Sequence, residues 1–223
     1  MGKAPQVYAV VTVDIVASRR VPEFSAHRDL LLRRLSRLHQ RNKLILSEYA
    51  VTAGDEFEGI LSRPWHAPQI IFDLRRFFYP MQLWIAVGIG QVIGARRRPV
   101  NQFAGGQAFE RAREALTDLK TRRNRTGSLT VFHSGSLRLD NVANTIYLLH
   151  DTLLRGTSEK QWQTINAQMK TRKQDATARQ MRRHGSTVSR NLSRGFFWQM
   201  IQVRQTMQEF LVEENMIARK HAT

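Results

Sequence analysis

Apolar and polar positions divide the chain into alternating extended and helical stretches. Val7–Ile15 (VYAVVTVDI) is β-branched and almost uniformly apolar, the pattern of a central strand covered on both faces. Ser25 is an N-cap for a helix through about Gln40. Leu30, Leu31, Leu35 and Leu38 form its apolar stripe, and Arg28, Arg33, Arg34, Arg37 and Arg41 its solvated face. Two extended runs, Leu44–Val51 and Glu56–Leu61, meet at Ala53-Gly54-Asp55, and Gly-Asp between β-prone runs signals a hairpin. After Pro64 and Pro68 comes a helix from about Pro68 to Tyr79, burying Ile70, Ile71, Leu74, Phe77 and Phe78 and stopped by Pro80. Leu83–Ile93 is a strand in which Gly88 and Gly90 leave one face bare, open to close approach by a helix backbone or by a flat ligand. Helix Gln107–Lys120, strand Leu129–His133 and helix Leu137–Leu154 complete this part. From Thr157 onward no strand pattern remains, and the periodicity is helical to the end of the last helix, Phe196–Met216.

Composition narrows the partners. The chain has 223 residues, 42% of them hydrophobic, which is enough to fill a core. Its formal charge of +17 is spread along the whole length and favours polyanions: nucleic acid, nucleotides or an anionic surface. Cysteine is absent, which excludes disulfides and thiolate metal sites and fits a reducing cytoplasm. No apolar run is long enough to span a bilayer, and MGKAPQVYAVVTVDIV reads as mature sequence leading straight into a strand rather than as a signal peptide.

Against that basic background, the hairpin tip concentrates three carboxylates: Asp55, Glu56 and Glu58. Acid at a turn where the backbone approaches a ligand closely suits a metal–phosphate site, although a solvated polar hairpin has the same spacing. The order β-α-β-β-α-β-α-β predicts an α+β fold with helices on one side of a ferredoxin-like, palm-like sheet over residues 1–154. In that architecture the end of the first strand neighbours the hairpin tip, so Asp14 and Asp55 would share a divalent ion, Mg²⁺ or Mn²⁺. Arg96, Arg97 and Arg98 form either a solvated run or a clamp for phosphates. Gly105-Gly106 opens a helix, an anion-friendly geometry.

These residues resemble a known superfamily. Val13-Asp14-Ile15-Val16 followed by Gly54-Asp55 is similar to the two metal-carboxylate motifs of class III nucleotide cyclases, and Ala53-Gly54-Asp55-Glu56-Phe57 resembles the GGDEF signature of diguanylate cyclases. The SatD family resembles the chain more fully over roughly the first 120 residues. It has an Asp-Ile strand followed by Ser and Arg, then GDEF, a Gly-Ile-Gly strand and an Ala-Phe-x-Arg-Ala-Arg-Glu helix. The cyclase resemblance implies Asp14, the backbone of Ile15 and Asp55 as metal ligands. It further implies Gly54, Glu56, Arg96, Arg97, Arg98, Gly105 and Gly106 around a nucleotide, and Arg113 in the place of a catalytic arginine. The chain departs from the pattern at Val51, where cyclic-AMP-forming enzymes resemble one another in having Lys. It departs again at Phe109, near their transition-state Asn, and at Ala53, the first Gly of GGDEF. Two carboxylates on Mg²⁺ would lower the pKa of an attacking hydroxyl, and an arginine would stabilise the leaving phosphates; without those base-holding residues, nucleotide binding is favoured over turnover.

In the helical part, residues 155–223, Gln174–Leu192 resembles the helix-turn-helix of bacterial regulators. Its recognition helix would present Thr187, Ser189, Arg190, Asn191 and Arg194 to double-stranded DNA. Arg182 stands where the usual turn offers Gly, and an ordinary basic helical hairpin has the same periodicity. The wide apolar stripe of the last helix suits packing on its own domain or on a second subunit, and a homodimer would match palindromic DNA. The expectation is a cytoplasmic DNA-binding transcriptional regulator whose cyclase-like domain binds a nucleotide or metal–nucleotide ligand. The alternatives are an active metal-dependent nucleotidyl cyclase or transferase using Asp14 and Asp55, and a nucleic-acid-binding scaffold.

Overall fold

A computed structural model describes residues 6–16, 24–93 and 105–220. The apolar run near the start becomes β1 (Tyr8–Ile15), with α1 (Phe24–Arg41), β2 (Ala50–Ala53), β3 (Glu56–Leu61), α2 (Ala67–Phe78), β4 (Leu83–Gly90), α3 (Gln107–Thr126), β5 (Thr130–His133) and α4 (Leu137–Leu154) following. The fold is α+β: a mixed five-stranded sheet in the order β2-β3-β1-β4-β5, then a helical region. β1 is antiparallel to both β3 and β4, and only the β4–β5 pair is parallel.

Strand alternation sends side chains to two different layers. Ala9, Val11, Val13 and Ile15 face one layer with Leu31 and Leu35 of α1, Ile70, Ile71, Leu74 and Phe78 of α2, and Tyr147 of α4. Val10 and Ile60 face the other layer with Ala108, Phe109 and Ala112 of α3. The expectation of helices on a single side is therefore corrected. β1 is apolar at nearly every position because α3 covers the face opposite α1 and α2. Small residues allow the close fit, since a Cβ on Gly88 would collide with the Ala108 carbonyl and the Ala112 N–H and lie 2.9 Å from the Ala112 methyl. Of the two readings for the bare face of β4, helix packing holds.

Other local departures have physical causes. Leu44–Val51 is not one continuous strand. The chain touches β3 through an Ile45–Leu61 bridge and a hydrogen bond from Leu46 N–H to Ile60 O (2.8 Å), and β2 proper begins at Ala50. In between, Tyr49 turns inward, its hydroxyl 2.7 Å from His39 Nδ1. Leu32 replaces Leu30 in the α1 stripe; Leu30 is exposed. Arg28, expected in solvent, is buried. At the β5 margin, Asn144 accepts a hydrogen bond from Phe132 N–H (2.7 Å) and donates one to Phe132 O (3.0 Å).

The helical region comprises α5 (Glu159–Thr171), α6 (Gln174–Met181), α7 (Gly185–Arg194) and α8 (Phe197–Lys220). A capping box, Ser158 with Gln161, starts α5. Trp162 and Ile165 pack with Ala178, Val188, Leu192, Phe197 and Met200 in a second core. Further along α8, Met207 and Leu211 join the main core, so this helix belongs to both. Its apolar stripe is largely used within its own chain. Among the described residues no helix is long and apolar enough to cross a membrane.

Candidate functional site

The β2–β3 turn is two residues, Gly54-Asp55, between the paired Ala53 and Glu56. Gly54 has φ +55, a conformation that L side chains rarely adopt. In register, Asp14 lies opposite Glu56 and Thr12 opposite Glu58. Directly opposed residues share a face, so Asp14, Glu56 and Glu58 all point to the α3 side, and Asp55 sits beside them at the tip. Asp14 and Asp55, forty residues apart, are thus brought to one end of the sheet; Ile15 follows Asp14 at the end of β1.

One face of α3 supplies the countercharge. Phe109, Arg113, Leu116 and Lys120 follow one another at helical spacing along the face toward the sheet. Lys120 Nζ reaches Glu56 Oε1 at 2.6 Å and is ion-paired with Asp14 Oδ2, bridging the two strands. Arg113 Nε lies 3.3 Å from Glu58 Oε1, which also accepts a hydrogen bond from Thr12 Oγ1 at 3.1 Å. From the far side, the buried Arg28 donates to the carbonyl of Gly54 and pairs with Asp29 at 2.9 Å.

Burial pushes the Asp14 carboxyl above its ordinary range. Lys120 opposes this shift, while Asp55 and Glu56 add to it. Burial also works against the Lys120 ammonium, but its hydrogen bonds to Asp14 and Glu56 win and raise it. The cluster is thus a set of hard oxygen donors already holding one cation, an ammonium. Among the described residues no group of three or more His, Asp or Glu side chains is arranged to hold a metal ion.

The predicted phosphate residues do not all converge. Gly105 and Gly106, with φ +104 and +124, fold back on the exit of β4, where Ile93 N–H donates to Gly105 O at 2.9 Å. That is the Tyr8 end of β1, since Tyr8 pairs with Gly90. At about 3.3 Å per residue, the two ends of β1 are roughly 20 Å apart. The glycine pair therefore cannot touch an ion held by Asp14. Arg96, Arg97 and Arg98 lie outside the described residues. Lys120 and Thr12 escaped the sequence reading; their signals were the α3 stripe shared with Arg113 and the two-residue spacing from Asp14.

On α7, Ser189, Arg190 and Arg194 are exposed, whereas Thr187 is half-buried. Asn191 turns partly inward and donates to Thr164 Oγ1 of α5 at 3.1 Å. Arg182 holds the left-handed turn at φ +51, its N–H donating back to the end of α6. His184 caps α7.

The SatD family (SatD) model matches residues 8–191, from β1 through most of α7. The chain belongs to the SatD family. The SatD match takes in the Asp14, hairpin and Lys120 cluster and runs well past the first 120 residues into the helical region. A comparison with curated proteins gives no match.

Proposed function

We propose that this SatD-family chain is a DNA-binding transcriptional regulator. Its sheet domain, about residues 1–154, binds a nucleotide or metal–nucleotide, and its helical domain, 155–223, reads DNA. The observation that carries the DNA reading is the exposed basic edge of α7. Arg190 and Arg194 project there with Ser189, and the exposed Arg182 and Arg183 precede them, on three short helices sharing one core. That arrangement supports a helix-turn-helix at about 174–192 with α7 as recognition helix. Asn191, tied to Thr164, serves the core rather than the reading edge.

The strand order β2-β3-β1-β4, with α1 and α2 on one face, supports the ferredoxin-like, cyclase-like reading. The ligand belongs at the hairpin end, where Asp14, Asp55 and Glu56 offer the oxygen donors that Mg²⁺ or Mn²⁺ prefers. When bound, such an ion would supply positive charge against the ligand's phosphates. This chain's own part is to hold the acids in register, with Arg28 fixing the hairpin tip and Lys120 neutralising Asp14 and Glu56 until a ligand takes its place. Catalysis has weaker support, because Arg113 is engaged by Glu58.

Fluorescence anisotropy with several labelled duplexes tests the DNA reading. Affinity should fall steeply between 50 and 200 mM salt, and Arg190→Ala and Arg194→Ala should each lower the slope of log K against log salt by about 1. Absence of binding to every duplex at low salt would end it, and an RNA preferred in competition would point to the scaffold alternative.

A further inference from the structure

A second concave site lies away from the hairpin. The cleft between α2, α5 and α8 has a volume of about 640 Å³, within the usual range of small-ligand sites. Its charged lining is unbalanced: Arg76, Arg172 and Arg204 face one carboxylate, Asp73. Asp73 is already engaged. It accepts from Gln69 Nε2 at 2.7 Å and Arg76 Nε at 2.8 Å, and lies 3.2 Å from His39 Nε2.

Among the described residues the other two guanidiniums have no ion-pair partner. Arg204 donates to the Gln69 amide oxygen at 2.8 Å and lies over the Phe72 ring at 5.6 Å, with no carboxylate in ion-pair reach among the described residues. Burial lowers its pKa and the nearby Arg76 adds to this, while the Asp73 charge opposes it. Arg172 closes α5 in the left-handed conformation at φ +62 and is exposed at the rim, again without an acidic partner among the described residues. Trp198, half exposed, offers a flat aromatic wall beside them.

We infer that this cleft binds a phosphate monoester carrying a flat aromatic body, the chemistry of a nucleoside monophosphate. Two positive charges remain once Asp73 is counted, and a phosphate monoester carries nearly two negative charges at neutral pH. Paired guanidinium forks suit its oxygens. The cleft as a whole exceeds what an inorganic anion needs and leaves room for a ring beside Trp198. Because α2 sits on the sheet and α5 and α8 carry the helical region, an occupant would touch both.

Isothermal titration of the full chain with each of the four ribonucleoside monophosphates, and with inorganic phosphate, tests this. At least one monophosphate should saturate below about 1 mM and bind about tenfold tighter than phosphate. Arg204→Gln and the rim variant Arg172→Gln should each weaken it about tenfold, and Trp198→Leu should bring it toward inorganic phosphate. Arg172→Gln is at the surface and should melt like the wild type. Asp55→Asn, at the other site, should leave the binding unchanged, so the two ligand readings stand or fall apart. No saturation by any monophosphate, or affinity unchanged in both arginine variants, overturns the inference.

Discussion

Replacing Lys120 by Met removes the ammonium that bridges β1 and β3. Asp14 and Glu56, directly opposed with Cβ atoms about 5 Å apart, would then face each other uncompensated. At an effective dielectric constant of about 20, two unit charges at that distance repel by about 3 kcal/mol. Glu56 is partly exposed, and solvent there cuts the repulsion to about 1–2 kcal/mol. Loss of the two charge-assisted hydrogen bonds adds to it, so the net cost near pH 7.5 should be about 2–3 kcal/mol. For a chain of this size that is a fall of about 4–12 °C in Tm. The sign with pH follows from Asp14. Its carboxyl is raised in the folded state and rises further without Lys120, so the folded state takes up a proton as pH falls. The variant's deficit should accordingly shrink by pH 5. Thermal melts at both pH values, at constant ionic strength and with or without MnCl₂, measure this. Mn²⁺ should raise the Tm of the variant more than that of the wild type, by the equivalent of about 2.7 kcal/mol at a hundredfold excess over Kd. An equal deficit at both pH values would refute the charge argument, and an equal response to Mn²⁺ in both proteins would refute the cation site.

Three further outcomes concern the scaffold. Arg75 is buried, donates to Leu83 O at 2.6 Å and Thr130 Oγ1 at 2.8 Å, and pairs with Asp151 at 3.3 Å; Arg75→Met should cost about 3–5 kcal/mol in urea unfolding because the buried Asp151 loses its guanidinium countercharge. Burial opposes the Asp151 charge, but Arg75, His150 and the Leu129 N–H hold its pKa below the usual value; its stabilisation is therefore present above about pH 4 and lost as pH falls, and Asp151→Asn should flatten that acid limb. Gly88→Val should unseat α3, costing more than about 3 kcal/mol or leaving the protein insoluble, read by circular dichroism and unfolding.

Much of the fold was legible where one local signal dominated. Helix Leu137–Leu154 has the ends that the sequence pattern predicts, and the Ser136 side chain, accepting from Leu139 N–H, caps its start. β1 was plain from its unbroken apolar run. The hairpin was legible from Gly54-Asp55, and with it the convergence of Asp14 and Asp55. What failed needed tertiary information. Leu44–Val51 has strand composition, yet the inward turn of Tyr49 toward His39 breaks it. Arg28 is polar by type but is held inside by a backbone carbonyl. The separation of Gly105-Gly106 from Asp14 follows from pairing direction: antiparallel β1 and β4 exit at opposite ends, so a helix entered from β4 starts far from the end of β1.

Asn144 has a consequence for how copies of the protein behave in a crowded solution. Its carboxamide imitates the next strand at Phe132, answering both main-chain groups that would otherwise invite an incoming peptide. Recruitment of a stray segment along that margin would have to displace an amide already seated there, which makes the β5 border a poor template for fibrous growth.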